Sequence, residues 1–345
     1  MLFGAQGVGT SHINFKETLN MKILKTLALA ISLTLASTHL MAQEFRMLSS
    51  WDKNYPLNPV LLDPFMKAVE TASKGRIKFT VSGPETVPPF EQLQPVGSGA
   101  FQFLFTSGAY HFGTTPILAV AEAMHGDLAA FRASGVFDVI DKHYQKFGLK
   151  LVAMPMSPEG AYHIILRQPI GPSGDLSGRK IRSTPTYLPV VKMLGGVGVV
   201  LPPSDIYTAL EKGLVDGAAW PVLGVLNYRW NEVAKYALRP GMGTNIQPIL
   251  MNLVAWNKLS EEDRQLLLQA GRNSEDLYYK AARELWQEEE KGMIARGMTM
   301  TQMGDAQKAK LRSTWQDGLF ELGAAKNPKD VEELRQFARS KGLVR

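Results

Sequence analysis

Residues 178–221 read GRKIRSTPTYLPVVKMLGGVGVVLPPSDIYTALEKGLVDGAAWP. A short β-prone run, Lys180-Ile181-Arg182, leads into a helix-length segment at residues 187–194. Gly195-Gly196 ends that helix, because glycine tolerates the left-handed conformation that follows a last turn. A second apolar run at 197–201 stops at Pro202-Pro203, and Ser204 stands as an N-cap for a helix over 205–212 with Gly213 beyond its end. Val215-Asp216-Gly217 and Trp220-Pro221 then supply a third strand. The pattern is β-α-β-α-β, half of an open α/β domain. Ligands of such sheets bind beyond the carboxyl ends of the strands, where Arg182 and Trp220 fall.

The same order recurs upstream. A strand at 45–51, a helix at 59–73, an alternating strand at 76–81, a short helix at 90–96 and a strand at 101–105 form a first α/β lobe. Residues 117–124 and 129–148 read as helices, 151–154 as a strand, and 161–166 as an extended crossing into a second lobe. An extended segment at 243–255 returns to the first lobe, and two such crossings make a hinge. Ser260, with Asp263 three residues on, starts a helix that keeps its apolar period to about Arg296. Gly271 and Gly292 interrupt the pattern and leave open a division into two helices. Two more helices, at 306–325 and 328–340, close the chain. The expected organisation is 43–160 with 248–290 as the first lobe and 161–247 with 291–345 as the second.

The N-terminus is of another kind. Met21-Lys22-Ile23-Leu24-Lys25 is a basic start, residues 26–37 are apolar, and Leu40-Met41-Ala42 precedes a cleavage point before Gln43. Residues 21–42 are therefore expected to be a cleaved signal peptide, directing the chain to the periplasm, and 1–20 a start-site extension. A membrane anchor at 26–40 is the alternative reading, disfavoured because the run is short and a small-residue site follows it. Residues 1–42 carry three lysines and one glutamate, so their removal takes the net charge from +6 to +4. That is no nucleic-acid signature. The chain has no cysteine, which excludes disulfides, thiolate metal sites and cysteine nucleophiles.

The succession KIR, small-residue turn, helix, LGG, proline turn and SDIYTALEKGLVDGAAWP resembles the solute-binding subunit of tripartite ATP-independent periplasmic (TRAP) transporters, the DctP-type family. The ALxxGxVDG core carries most of the likeness, and the lobe pattern extends it over most of residues 43–345. The resemblance implies an α/β two-lobe periplasmic binding protein with a hinge and a long helix running along both lobes. It also implies a small organic acid as ligand and the transporter's membrane subunits as partners. In the family an arginine at the KIR position commonly clamps the substrate carboxylate; here it is Arg182. A guanidinium fork matches a carboxylate bidentately, although an ion pair holding the lobe together is the alternative role. Many members carry a second basic residue where this chain has Tyr162, which brings no charge, so a less polar ligand is implied. The neighbouring His163 points to the opposite face of its strand. Gln102 replaces the usual acidic residue of the first-lobe strand.

Trp220 offers flat apolar area and one donor, with core packing as its alternative. Trp51 and Tyr110 end first-lobe strands and are placed to close the opposite wall. Tyr187 is lining or core, and Ser107 with the backbone of Gly108 is a candidate donor. Aromatic residues around one arginine suit a monocarboxylate: an aromatic, 2-oxo or 2-hydroxy acid. The sequence lacks GxxxxGK[ST], HExxH, GxSxG and the dinucleotide glycine fingerprint. The histidines after residue 42 (111, 125, 143 and 163) have no metal-ligand spacing. No catalytic residue, metal or cofactor is expected. A ligand-sensing receptor subunit remains an alternative, and an enzyme on the same scaffold a more distant one.

Overall fold

The computed structural model describes residues 43–344 and four isolated positions before residue 8. Apart from those positions, the expected start-site extension and signal peptide lie outside the described residues. Eleven strands form among the described residues. They are β1 (Gln43–Ser49), β2 (Ile77–Ser82), β3 (Phe103–Phe105), β4 (Leu149–Ala153), β5 (Tyr162–Leu166) and β6 (Lys180–Ser183). β7 (Val197–Val200), β8 (Gly217–Pro221), β9 (Tyr236–Arg239), β10 (Ile249–Asn252) and β11 (Thr299–Gln302) follow.

The strands make two sheets, ordered β2-β1-β3-β10-β4 and β11-β9-β5-β8-β6-β7. Each is a parallel α/β core into which one antiparallel strand from a crossing segment is inserted: β10 between β3 and β4, β5 between β8 and β9. This is the two-lobe architecture that the sequence implied. The crossings also pair with each other. Ser157 N–H donates to Asn245 O at 2.9 Å and Gln247 N–H to Pro155 O at 2.9 Å. A hydrogen-bonded ribbon therefore links the sheets.

Several local expectations are corrected. The run 129–148 is two helices, Leu128–Ser134 and Val136–Gln145, divided at Gly135 with φ +80°. The returning segment is a strand only at β10; Asn252 then accepts from Ala255 N–H at 2.9 Å and starts the helix Leu253–Lys258. Ser204 caps nothing: its hydroxyl donates to Asp205 Oδ1 at 2.9 Å and the helix begins at Ile206. Strands β9 and β11 had no clear sequence signal, being four-residue segments that pair only with distant chain. Gln102 gains an account. Its N–H donates to Arg46 O at 2.9 Å and its Oε1 accepts from Arg46 N–H at 3.1 Å, so backbone and side chain together secure β3 to β1.

The long helix is unbroken from Glu261 to Ala295, 35 residues, or roughly 52 Å at 1.5 Å per residue. Ser260 Oγ accepts from Asp263 N–H at 3.1 Å as N-cap. Near its start the helix packs on the first lobe; near its end Glu289 accepts from Gly224 N–H at 3.2 Å and Leu226 N–H at 3.0 Å of the second. Gly271 is tolerated mid-helix because β4 passes so close that a Cβ there would lie 2.8 Å from Val152 O. The helix Asp305–Ala324 packs on Leu188–Met193 of the second lobe, whereas Pro328–Ser340 lies on Ile117–Ala121 and Val136–Gln145 of the first. The C-terminal segment thus straps both lobes.

Candidate functional site

The site lies where the carboxyl ends of β1, β3, β6 and β8 face one another across the ribbon. Trp51, just past β1, stacks on Tyr55 with centroids 4.4 Å apart and planes at 5°. After β3, Ser107 Oγ accepts from Ala109 N–H at 3.3 Å and shapes the turn that presents Tyr110. That turn packs tightly: a Cβ on Gly108 would sit 2.6 Å from Ala119 N. From the second lobe come Arg182 on β6, Tyr187 in the turn Pro185–Tyr187, and Trp220 on β8. Tyr162 opens β5. All seven residues singled out in the sequence line one cavity of about 10 Å³.

Arg182 is wholly buried. Its Nε donates to Leu201 O at 2.9 Å and Nη1 to Ala219 O at 3.1 Å. Nη2 has no partner, and among the described residues no carboxylate forms an ion pair with it. Burial depresses its pKa, opposed by the nearby Tyr110 and Tyr187 hydroxyls. Arginine nevertheless stays protonated in proteins, so this is a buried positive charge with no direct ion-pair partner among the described residues, Asp205 acting on it only from a distance. The guanidinium carbon lies 5.3 Å from the Trp220 ring centroid, a cation–π contact. Burial pushes the Tyr110 hydroxyl up to about 12 despite Arg182 nearby. Tyr110 approaches Arg182 and Trp51 without the geometry that would satisfy Arg182 Nη2 or Trp51 Nε1.

Two expectations change in detail. Trp220 gives the cavity no donor, because its Nε1 already donates to Leu223 O at 3.0 Å; only its face is on offer. Tyr162 is likewise engaged, donating to Glu122 Oε1 at 2.9 Å and accepting from Asn245 Nδ2 at 2.8 Å. His163 lies outside the lining, its Nδ1 3.1 Å from Arg239 Nη1. The sequence reading missed Thr184, Thr186, Asn245 and Gln247, which also line the cavity. Asn245 and Gln247 sit on the second crossing, just before the buried apolar run of β10. Polar residues at the mouth of such a run were the signal available.

A larger cavity of about 320 Å³ is lined by Glu122, Arg283, Lys308, Arg312 and Trp315 among others. Its charges are mixed and partly paired, Arg312 with Glu159 and Lys308 with Asp305. Among the described residues, no three or more His, Cys, Asp or Glu side chains gather as a metal site would require.

A cationic donor and aromatic walls between two hinged α/β lobes define a bilobal solute-binding protein. The model of the DctP family, described as bacterial extracellular solute-binding protein, family 7, matches residues 49–321, and the chain belongs to that family. A curated relative, the monocarboxylate 2-oxoacid-binding periplasmic protein of Nostoc sp., is 29% identical over 239 residues, 64% of this chain and 63% of that protein. The chain thus aligns with just under two thirds of that relative's length. Among solved structures, a TRAP periplasmic solute-binding protein from Desulfovibrio salexigens with bound orotic acid superposes with a TM-score of 0.77 at 18% identity, covering 86% of this chain and 98% of that one. Another, from Rhodoferax ferrireducens with bound malonate, gives 0.73 at 21% identity, covering 86% and 97%.

Proposed function

We propose that this chain is the periplasmic solute-binding subunit of a TRAP transporter, capturing an organic monocarboxylate through Arg182 and delivering it to the membrane subunits. The observation that carries the reading is the buried guanidinium of Arg182, with Nη2 unpartnered and, among the described residues, no ion pair to a carboxylate of the protein. A buried charge of this kind is costly unless a ligand pairs with it. One cation and no anion in the lining match a single negative charge. The names of relatives and neighbours, with a 2-oxoacid, orotate and malonate, support an organic acid.

The mechanism is a population shift. A carboxylate held by Arg182 on the second lobe, against Trp51 and Tyr110 on the first, favours the form in which both walls meet it. At about 10 Å³ the cavity has room for about one water, so an acid enters only as the lobes part or side chains yield. The contact of Asn227 Nδ2 with Asn54 O at 3.3 Å, between loops of opposite lobes, breaks on opening.

A thermal-shift screen of the purified protein against aliphatic, aromatic, 2-oxo, 2-hydroxy and dicarboxylic acids tests this. An acid at 100 times its Kd adds about 2.7 kcal/mol. Monocarboxylates are expected to raise Tm, and both Arg182→Lys and Arg182→Met, if folded by circular dichroism, to lose the response. A response retained in both variants would sink the clamp.

A further inference from the structure

Eight buried side-chain polar atoms lack a partner among the described residues, and three belong to residues lining the Arg182 cavity: Arg182 Nη2, Trp51 Nε1 and Gln247 Oε1. Two are donors and one is an acceptor. The other amides and indoles of the lining are engaged. Trp220 Nε1 is bonded to Leu223 O, and Asn245 donates to Tyr162 and accepts from Tyr278 at 3.5 Å. Gln247 is fixed from both ends: its N–H donates to Pro155 O at 2.9 Å and its Nε2 donates to the Tyr55 hydroxyl. Tyr55 is itself clamped by its stack on Trp51. This leaves the Gln247 carbonyl as the part of the side chain not already used.

A carboxylate accepts only, and its two oxygens answer the two donors, Arg182 Nη2 from one lobe and Trp51 Nε1 from the other. It cannot answer Gln247 Oε1, which requires an O–H or N–H. All three atoms belong to residues lining the same cavity, and a donor on the carbon next to the carboxylate lets one small ligand answer all of them. We propose that Gln247 is a specificity-determining residue whose side-chain carbonyl accepts a hydrogen bond from a 2-hydroxyl of the ligand, so that the protein selects 2-hydroxy acids over the corresponding 2-oxo acids. The inference rests on the carboxylate reading above and narrows it. A 2-oxo acid would set its keto oxygen against the Gln247 carbonyl, leaving two acceptors face to face and a buried group unpaired. Sites built to hydrogen-bond a hydroxyl reject analogues lacking it far more strongly than they reject a change of bulk.

Matched pairs test it: lactate and pyruvate, 2-hydroxyisovalerate and 2-oxoisovalerate, mandelate and phenylglyoxylate, each titrated by calorimetry into the full-length folded protein. The 2-hydroxy member is expected to bind at least about tenfold more tightly, the effect of one well-made hydrogen bond together with the unpaired acceptor it relieves. In Gln247→Leu that ratio falls to near one, with affinity for the 2-oxo acid kept or raised. Tyr55→Phe keeps the ring that stacks on Trp51 but removes the hydroxyl that holds the Gln247 amide, and guards against a misfolded Gln247→Leu; in it the 2-hydroxy preference weakens while acid binding is kept. A 2-oxo preference that still depends on Arg182 would mean the amide turns its nitrogen to the cavity, and would overturn this inference alone. An unchanged ratio in Gln247→Leu would overturn it too. Binding of neither member, or binding indifferent to Arg182→Lys, would overturn the carboxylate reading and this inference with it.

Discussion

The Tyr162 hydroxyl donates a 2.9 Å hydrogen bond to Oε1 of Glu122, joining the first strand of the second sheet to the end of the first-lobe helix Ile117–Ala121. Ile246 N–H donates to the same oxygen at 3.3 Å, so both crossing segments converge on one buried carboxyl group. Burial pushes Glu122 up to about 8 from an ordinary 4.5, against the opposing effect of these two bonds. The folded state therefore holds a proton that the unfolded chain releases. The resulting stability is complete below the ordinary carboxyl range and is lost as pH rises through about 8. Melting temperatures from pH 5 to 9 are expected to show this decline in the wild type. Glu122→Gln, which keeps the acceptor and removes the titration, is expected to flatten it. His111, lowered to about 3 by burial, acts oppositely, its contribution being lost as pH falls from about 6.5 toward 3. The difference between wild type and Glu122→Gln isolates the carboxyl group; identical pH profiles would contradict the assignment.

Trp220 combines a buried ring under Arg182 with a hydrogen bond to Leu223. Trp220→Phe keeps most of the ring and loses the donor, and is expected to cost about 1 kcal/mol in urea denaturation. Trp220→Ala is expected to cost about 3–5 kcal/mol through the cavity it leaves, and to weaken acid binding as Arg182 loses its ring. Equal costs for the two variants would show that the ring's packing contributes little.

The long helix offers a paired test. At Gly271 an added Cβ meets the Val152 carbonyl at 2.8 Å and Ala153 Cβ at 2.9 Å, both set by strand β4. Gly271→Ala is expected to destabilise by about 1–3 kcal/mol through overpacking, outweighing the gain of up to about 1 kcal/mol in helix propensity. At Gly292 the obstacle is Leu226 Cδ1, at 2.6 Å, the end of a side chain that can turn aside. Gly292→Ala is expected to be near neutral or stabilising. Chemical denaturation of both variants checks the order, and a reversal would count against the close approach of β4.

The two serines expected to cap helices should behave differently. Ser260 bonds to Asp263 N–H, and Ser260→Ala is expected to cost about 1 kcal/mol. Ser204 bonds only to the Asp205 side chain at an exposed site, and Ser204→Ala should leave the denaturation midpoint unchanged. Equal losses in both would revive a capping role for Ser204.

Much of the fold is set by short-range chemistry and could be read from the chain. Alternation marks β2; glycines with positive φ, such as Gly195 and Gly213, end helices; Ser260 starts the long one. Arg182 was legible because a strand end in an α/β repeat is a predictable place. What the sequence could not supply was contact between distant segments. β11 is a strand only because β9 completes its hydrogen bonds, and β9 because it is taken between β11 and β5. Gln247 faces the cavity only because its amide is held by Tyr55, 192 positions away. Whether Trp220 and Tyr162 keep a free donor depends on Leu223 O and Glu122, and residue type alone does not fix those partners. Periodicity and turn chemistry determine the elements, because they act over a few residues. The polar atoms left unpaired between the lobes are decided by the tertiary structure, because a hydrogen bond depends on a partner's position to within a fraction of an ångström.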